Sequence, residues 1–178
     1  MSDATTPYEI LRLIDLRCRE RAAGLPAQQE NQRSWSGIGF RLGELRFVIP
    51  MGEVSEILPE PRFTALPGVK PWLKGVANVR GRLLPIADLG QFLGVKIQAL
   101  RKQRRILIVD HGDLFVGLAV DEVLGMQHFD IEAYREHADS VPAGLHFFLE
   151  GVFQRDVPWL VCSPRALVEH PEFMDVAA

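Results

Sequence analysis

The sequence predicts a mainly β protein with two similar small barrels in tandem, preceded by an amphipathic helix. From Gly37 onward, short apolar runs rich in Val, Ile, Leu and Phe alternate with Gly, Pro and Asp, a pattern typical of strands and turns. Most neighbouring runs have no helical pattern of ten or more residues between them, which favours antiparallel hairpins over parallel βαβ units. A weak internal repeat indicates that the strands form two equivalent sets.

Length and charge limit the possible functions. The chain has 178 residues, 47% of them hydrophobic and 24% charged, which suits one globular domain. Its formal net charge of -3 provides no positive field to attract nucleic acid or an anionic membrane. Because the sequence contains neither a bilayer-spanning apolar stretch nor a basic, apolar signal sequence at its start, we expect a cytoplasmic protein.

A helix is predicted over residues 7–23. Thr6 supplies a hydroxyl N-cap, Pro7 takes the first helical position, and Glu9 completes a capping box. Because an isolated helix of this length is marginal in water, we expect its apolar face to pack on the body of the same chain, with another protein as the alternative partner. That face carries apolar residues at spacings of three and four: Ile10, Leu11, Ile14, Cys18 and Ala22.

A polar stretch at residues 27–34 predicts a linker after the helix, because it shows no hydrophobic period. The chain is therefore divided into an N-terminal helix and linker, residues 1–34, and a main body, residues 35–178. The strands predicted most clearly in the body lie at residues 45–49, 83–86, 106–109, 114–120 and 157–161.

The internal repeat relates the two halves of the body. The strand at 45–48 is echoed at 114–116, Gly75-Val76 is echoed at Gly151-Val152, and the strand and helix start at 84–88 are echoed at 159–164. Each half is too small to bury a large core alone. We therefore expect the two barrels to share an apolar seam and to fold as one unit.

The sequence gives no positive sign of an enzyme, a cofactor or a metal site. It contains no G-x-S-x-G elbow, Walker loop, H-E-x-x-H or EF-hand loop. His111 lies in an Asp-His-Gly-Asp stretch that we interpret as a hairpin turn. Cys18 and Cys162 lack the C-x-x-C spacing of a zinc site, so we expect both to be reduced thiols.

Two further features favour ordinary structural roles. The basic run RKQRR at residues 101–105 has no aromatic residues within it, so a solvated loop is favoured over an anion or nucleic-acid contact. The three tryptophans are interpreted as core or interface anchors: Trp35, Trp72 and Trp159.

The most specific pattern is GVANVRGRLLPIADL at residues 75–89. It predicts two strands with a turn at Gly81, a second strand confined by Pro85 to an edge or a bulge, and a short helix capped by Asp88. The N-x-R-G group, followed by an apolar run, Pro and Asp-Leu, resembles the signature of the CheW-like domain, the coupling module of bacterial chemosensory arrays.

The resemblance extends over residues 37–169. It includes a first strand at 40–43, a V-x-E-I stretch at 54–57, and a strand ending in Val120-Asp121. It implies two five-stranded SH3-like β barrels side by side. The N-terminal extension and the WSGIGF segment at 35–40 are similar to coupling proteins of type IV pilus twitching-motility systems. Gly90 departs from the family pattern, in which an Arg often follows Asp-Leu.

The resemblance implies a non-catalytic adaptor that joins a CheA-type histidine kinase to the cytoplasmic tip of a methyl-accepting receptor. The receptor's helical hairpin would lie in an apolar groove between the barrels, and the kinase's regulatory domain would pair barrel to barrel; its contact residues are not carried over. Glu56 and Arg80 match an ion pair of the family. The positions matching the receptor-side surface are Val54, Glu56, Ile57, Gly75, Asn78 and Arg80.

Two other functions remain open at this point. Small tandem barrels also serve as peptide-binding or nucleic-acid-binding modules, because fold alone does not determine function. An enzyme acting on a small anion through Arg80 or Arg82 is a third class, although no nucleophile or base of recognisable context accompanies these residues.

Overall fold

The computed structural model describes residues 34–96, 98–112, 114–136 and 143–178, and Tyr8, Arg12, Asp15 and Arg17 before them. These four residues are helical and exposed. The remainder of the predicted helix and residues 27–33 of the predicted linker lie outside the described residues, as does Cys18; Ser34, the last residue of that linker, begins the first strand. The packing of that helix and the boundary at residue 34 therefore stay predictions. Residues Ser34–Ala178 form one compact unit.

The described part of the body is built mainly from strands. They are β1 (Ser34–Leu42), β2 (Leu45–Pro50), β3 (Glu56–Pro59), β4 (Leu73–Val79), β5 (Arg82–Asp88), β6 (Arg105–His111), β7 (Leu114–Val120), β8 (Glu122–Asp130), β9 (Tyr134–Arg135), β10 (Leu149–Phe153) and β11 (Trp159–Cys162). The helices are α1 (Leu89–Phe92), α2 (Pro164–Glu169) and α3 (Pro171–Met174), with 3-10 turns at Ile131–Ala133 and Ala143–Phe148.

These strands form two sheets, which confirms the predicted fold class. The five-stranded sheet has the order β3-β6-β7-β5-β4. The other sheet has six strands, in the order β8-β1-β2-β11-β10-β9, instead of the five expected. The additional strand is the two-residue β9, which pairs with the outer edge of β10 through Tyr134 and Arg135.

The internal repeat is present as a repeated strand order, with β2 equivalent to β7, β4 to β10, and β5 to β11. The repeats nevertheless exchange strands. β5 pairs in parallel with β7, and β11 pairs in parallel with β2. Each sheet therefore combines strands from both repeats. The five-stranded sheet consists of β3 to β7, which lie in the sequence between β2 and β8 of the six-stranded sheet. One barrel is thus inserted in the sequence of the other, instead of following it.

The predicted helix caps lie at equivalent ends of β5 and β11. The Asp88 carboxylate accepts a hydrogen bond from the backbone N–H of Gln91 at 2.9 Å. The Ser163 hydroxyl oxygen accepts one from the N–H of Ala166 at 3.3 Å. Each cap begins a short helix directly after a strand, as side-chain oxygens at N-cap positions do. The repeat therefore extends to the helix starts.

Pro85 lies where β5 has a strand neighbour on one side. It pairs with Val76 of β4, whereas pairing with β7 begins only at Ile86. Proline has no N–H to donate to a second neighbour. This local arrangement explains how a strand that is internal to the sheet accommodates a proline for which the sequence predicts an edge or a bulge.

The shared apolar seam is present as the largest buried cluster. It combines side chains from both sheets, including Phe40 and Phe47 of the six-stranded sheet and Leu107 and Leu118 of the five-stranded sheet. Two smaller clusters fill the individual barrels. Residues inside the five-stranded sheet are Ala77, Leu84, Ile86, Ile106, Ile108 and Ala119, and those on the six-stranded sheet are Val48, Phe129, Phe153, Trp159 and Val161.

The five-stranded sheet is closed by the segment that follows β3. Strands β3 and β4 are its two edges. Thr64 exchanges two backbone hydrogen bonds with Val76 of β4, at 2.8 and 2.9 Å. The chain that forms one edge therefore continues to the other edge and completes a small barrel.

Gly75 makes this closure possible. Its φ is +143°, and a Cβ atom added there would overlap the carbonyl oxygen of Thr64.

We expect Gly75→Ala to destabilise the fold by about 1–3 kcal/mol, because the β4 backbone must move away from Thr64. Urea unfolding measures the change. The matched control is Gly144→Ala, where no atom lies within 4 Å of the added Cβ. Equal stability of the two variants would contradict the closure described.

Candidate functional site

The N-x-R-G group forms the tight turn between β4 and β5. Arg80 and Gly81 both have positive φ, 52° and 82°, and the flanking pair is Val79 with Arg82. Positive φ at both central residues is the requirement of a type I′ hairpin turn. The side-chain oxygen of Asn78 accepts a hydrogen bond from the N–H of Gly81 at 2.9 Å. The turn therefore presents Arg80, with 77% of its side chain exposed, at the tip of the hairpin.

The expected ion pair between Glu56 and Arg80 is present. Arg80 Nη2 lies 2.7 Å from Glu56 Oε1. Glu56 belongs to β3 and Arg80 to the β4–β5 turn, so the contact joins the two edges of the five-stranded sheet. The Glu56 side chain is 27% exposed. The pair therefore lies at the surface, at one end of the closed barrel.

A second arginine–carboxylate pair lies beside the same turn. Arg82 donates to both oxygens of Asp110, at 2.6 and 3.4 Å, and its guanidinium lies 3.6 Å from the centre of the Phe115 ring. The hydrogen bond to Arg82 lowers the pKa of Asp110, and the same bond raises the pKa of Arg82. Arg80 and Arg82 are thus both paired with carboxylates.

The remaining predicted site residues have different environments. Val54 is half-buried and packs against the shared core, whereas Ile57 is 38% exposed. Asn78 is exposed within the turn, and Gly75 is buried against Thr64. The structure therefore brings Glu56, Asn78 and Arg80 together directly. Barrel closure explains why a glycine is needed at position 75. The contact of Gly75 with a receptor stays a prediction.

An apolar groove of about 370 Å³ lies between the five-stranded sheet and the C-terminal helices. The family resemblance implies a receptor groove between the two barrels, and that groove stays a prediction. The groove described here has, among the described residues, no lining from a strand of the six-stranded sheet and none from the six predicted receptor-side residues. Sequence patterns did not reveal it, because its outer wall comes from the short C-terminal segment. The groove is lined by Leu66, Trp72, Leu73, Val76, Pro85, Ala87, Leu114, Phe115, Val116, Val168, Phe173, Met174 and Val176.

A smaller cavity of about 220 Å³, here called the Glu53 pocket, adjoins this groove through two residues that line both, Leu114 and Val168. Burial, with a further contribution from Glu150, raises the pKa of Glu53. Sequence reasoning did not identify Glu53, because one acid in a polar turn forms no recognisable pattern. The pocket is lined by Gly52, Glu53, Val109, Asp110, His111, Leu114, Arg165 and Val168.

Other chemistry-bearing residues of the described chain have structural explanations. His111 ends β6 and pairs with Leu114 of β7, which confirms the hairpin interpretation. Cys162 is a buried free thiol, and burial raises its pKa well above the usual value. Among the described residues, no three His, Cys, Asp or Glu side chains are grouped to hold a metal ion. A search of the same residues finds no helix with the length and apolarity to cross a membrane.

Similarity to known proteins agrees with this fold. The family described as CheW-like domain matches residues 36–172. Protein PilI of Pseudomonas aeruginosa is 62% identical over 177 residues, which cover 99% of both chains. Chemotaxis protein CheW of Helicobacter pylori is 30% identical, covering 70% of this chain and 78% of its own length. The crystal structure of scaffolding protein TtCheW from Thermoanaerobacter tengcongensis has a TM-score of 0.67 at 25% identity, covering 77% of this chain and 94% of TtCheW. The chain belongs to the CheW-like domain family.

Proposed function

We propose that this protein is a non-enzymatic adaptor that couples the cytoplasmic tip of a methyl-accepting receptor to the regulatory domain of a CheA-type histidine kinase. Full-length similarity to PilI supports a place in the chemosensory pathway that controls type IV pilus twitching motility. The protein would act in the cytoplasm, associated with membrane-bound receptor arrays. It would need no cofactor, because its task is to hold two partners together.

Receptor binding is supported by an ion pair and an apolar groove on the five-stranded barrel. An exposed ion pair, Glu56–Arg80, lies on the barrel whose outer face carries the apolar groove. Exposed apolar residues border this region, with Leu83 at 69% and Met174 at 59% exposure. An apolar groove with polar groups beside it suits an amphipathic helix, which places its apolar stripe in the groove. The hairpin tip of the receptor is such a partner.

The alternative of a nucleic-acid-binding module has no observation in its favour. The net charge is -3, and the three arginines of the basic run make contacts within the protein. Arg101 pairs with Glu60 at 3.3 Å, Arg104 donates to the carbonyl of Ala99, and Arg105 donates to three carbonyls of its own loop. Arginines engaged in this way hold a loop together. They do not form the open basic surface that phosphate binding requires.

The adaptor function predicts direct, moderate binding to the kinase. We expect the full chain to bind the regulatory domain of its cognate kinase with a Kd in the micromolar range, about -8 kcal/mol, because avidity in an array multiplies each contact. Titration calorimetry measures this. In a reconstituted mixture, kinase phosphorylation should depend on the receptor only when this protein is present. Absence of binding heat at tens of micromolar would rule out the proposal.

The ion pair is expected to matter for coupling more than for folding. Since Arg80 is largely exposed and Glu56 lies partly exposed at the surface, Glu56→Ala or Arg80→Ala should change the free energy of unfolding by about 0–1 kcal/mol. If a partner desolvates the pair, the same changes should weaken receptor-dependent kinase activation severalfold or more. The control is Glu122→Ala, which removes an ion pair with Arg41 on the six-stranded sheet.

Melting temperature and receptor-dependent phosphorylation should be measured on the same preparations. Normal coupling in both ion-pair variants would show that the pair is dispensable. Unfolding of both variants would show that its role is structural.

A further inference from the structure

We propose that the Glu53 pocket receives one basic side chain, a lysine or an arginine, from the helix that docks in the adjoining apolar groove. The inference rests on the proposed receptor-coupling function and adds to it a specific electrostatic contact. It assigns to the receptor helix an apolar stripe with a cationic side chain at one end. It also assigns to Glu53 a role in partner recognition.

The first observation is that Glu53 is incompletely satisfied within the described chain. Its Oε2 atom is shielded from solvent and has no hydrogen-bond partner there. A shielded carboxylate oxygen without a donor is costly, because it loses hydration and gains no replacement. A donor that reached this oxygen from a binding partner would remove that cost. The unpaired oxygen is therefore a position at which a donor from a partner would be stabilising.

The second observation is the balance of charge around Glu53. Among the described residues that line the pocket, the one arginine is Arg165, which is paired with Glu169 at 2.9 Å. The carboxylate of Asp110 is neutralised by Arg82, at 2.6 Å. Glu150 adds negative charge near Glu53 and raises its pKa, whereas His111 and Arg165 act in the opposite direction more weakly. The neighbouring Cys162 thiol is neutral, since burial raises its pKa. An incoming cation therefore meets an acid that lacks a close counter-ion.

The third observation is geometric. The pocket and the groove share two lining residues, Leu114 and Val168, so the two cavities lie side by side, and a long side chain that enters the pocket from the groove must pass these two apolar residues. Lysine and arginine have apolar stems and charged ends, which suit a path with apolar walls and an acidic end. The volume of about 220 Å³ is below the range of pockets that hold whole small-molecule ligands. It suits a single side chain.

The test uses the full chain and the cytoplasmic-tip hairpin of its cognate methyl-accepting receptor as the probe. Binding is measured by titration calorimetry for the wild type, Glu53→Gln and Met174→Glu. Glu53→Gln keeps the shape of the side chain and removes its charge, whereas Met174→Glu places a charge in the apolar groove at an exposed position. We expect Glu53→Gln to weaken binding by at least about tenfold. Its melting temperature should equal or exceed that of the wild type at pH 8.

The basic residue on the receptor is identified by changing the lysines and arginines of the hairpin to glutamine one at a time. One such change should weaken binding to the wild type by the same factor as Glu53→Gln and should have no further effect on the Glu53→Gln protein. This non-additivity marks a direct pair. If no receptor substitution reproduces the loss, the assignment of a basic side chain is overturned.

The outcomes separate this inference from the proposed function. If Met174→Glu weakens binding and Glu53→Gln binds like the wild type, the groove still docks the receptor and the pocket inference is wrong. If the hairpin does not bind the wild-type protein at all, both are wrong. If both variants bind more weakly and one receptor cation pairs with Glu53, the inference is supported.

Discussion

The parallel pairings between the two sequence repeats are the constraint on which the rest of the structure depends. β5 pairs with β7, and β11 pairs with β2, so neither sheet can be completed from one repeat alone. The exchange places strands of both sheets against a common core that includes Phe40, Phe47, Leu107 and Leu118. A small barrel buries too little apolar surface to be stable by itself. The shared core therefore makes the body one folding unit.

The same connectivity positions the candidate site. Because the segment after β3 returns to β4 through Thr64, Glu56 on one edge of the sheet reaches Arg80 on the hairpin at the other edge. The chain that leaves β11 forms α2 and α3, and these helices supply the outer wall of the apolar groove. The ion pair, the groove and the Glu53 pocket thus all follow from how the strands are connected.

Much of this fold could be predicted from the sequence, and the failures have identifiable causes. Apolar runs located the strands, and side-chain oxygens at Asp88 and Ser163 located the helix starts. The repeat showed which strands are equivalent. It could not show which strands pair, because equivalent strands have similar faces and either partner satisfies the hydrophobic pattern. The strand exchange and the sixth strand therefore appeared only in the structure.

Some residues of the candidate site could also be predicted from the sequence, and others could not. Resemblance to the family located Glu56 and Arg80, whose ion pair the structure contains. The family resemblance assigns Gly75 to a receptor contact, which stays a prediction, and its buried position against Thr64 also gives it a role in barrel closure. The groove and Glu53 gave no sequence signal, since their neighbours are brought together only by tertiary folding. Adaptor surfaces are generally harder to predict than catalytic sites, because shape and burial define them more than residue type.

We propose that the receptor binds at the end of the five-stranded barrel and in its adjoining groove. NMR chemical-shift mapping on the full chain, with the receptor-tip hairpin added stepwise, tests this binding site directly. We expect the largest changes in β3, in the β4–β5 turn and along the groove walls, including Val76 and Phe173. Changes confined to the outer strands β8 and β9 of the six-stranded sheet would contradict it.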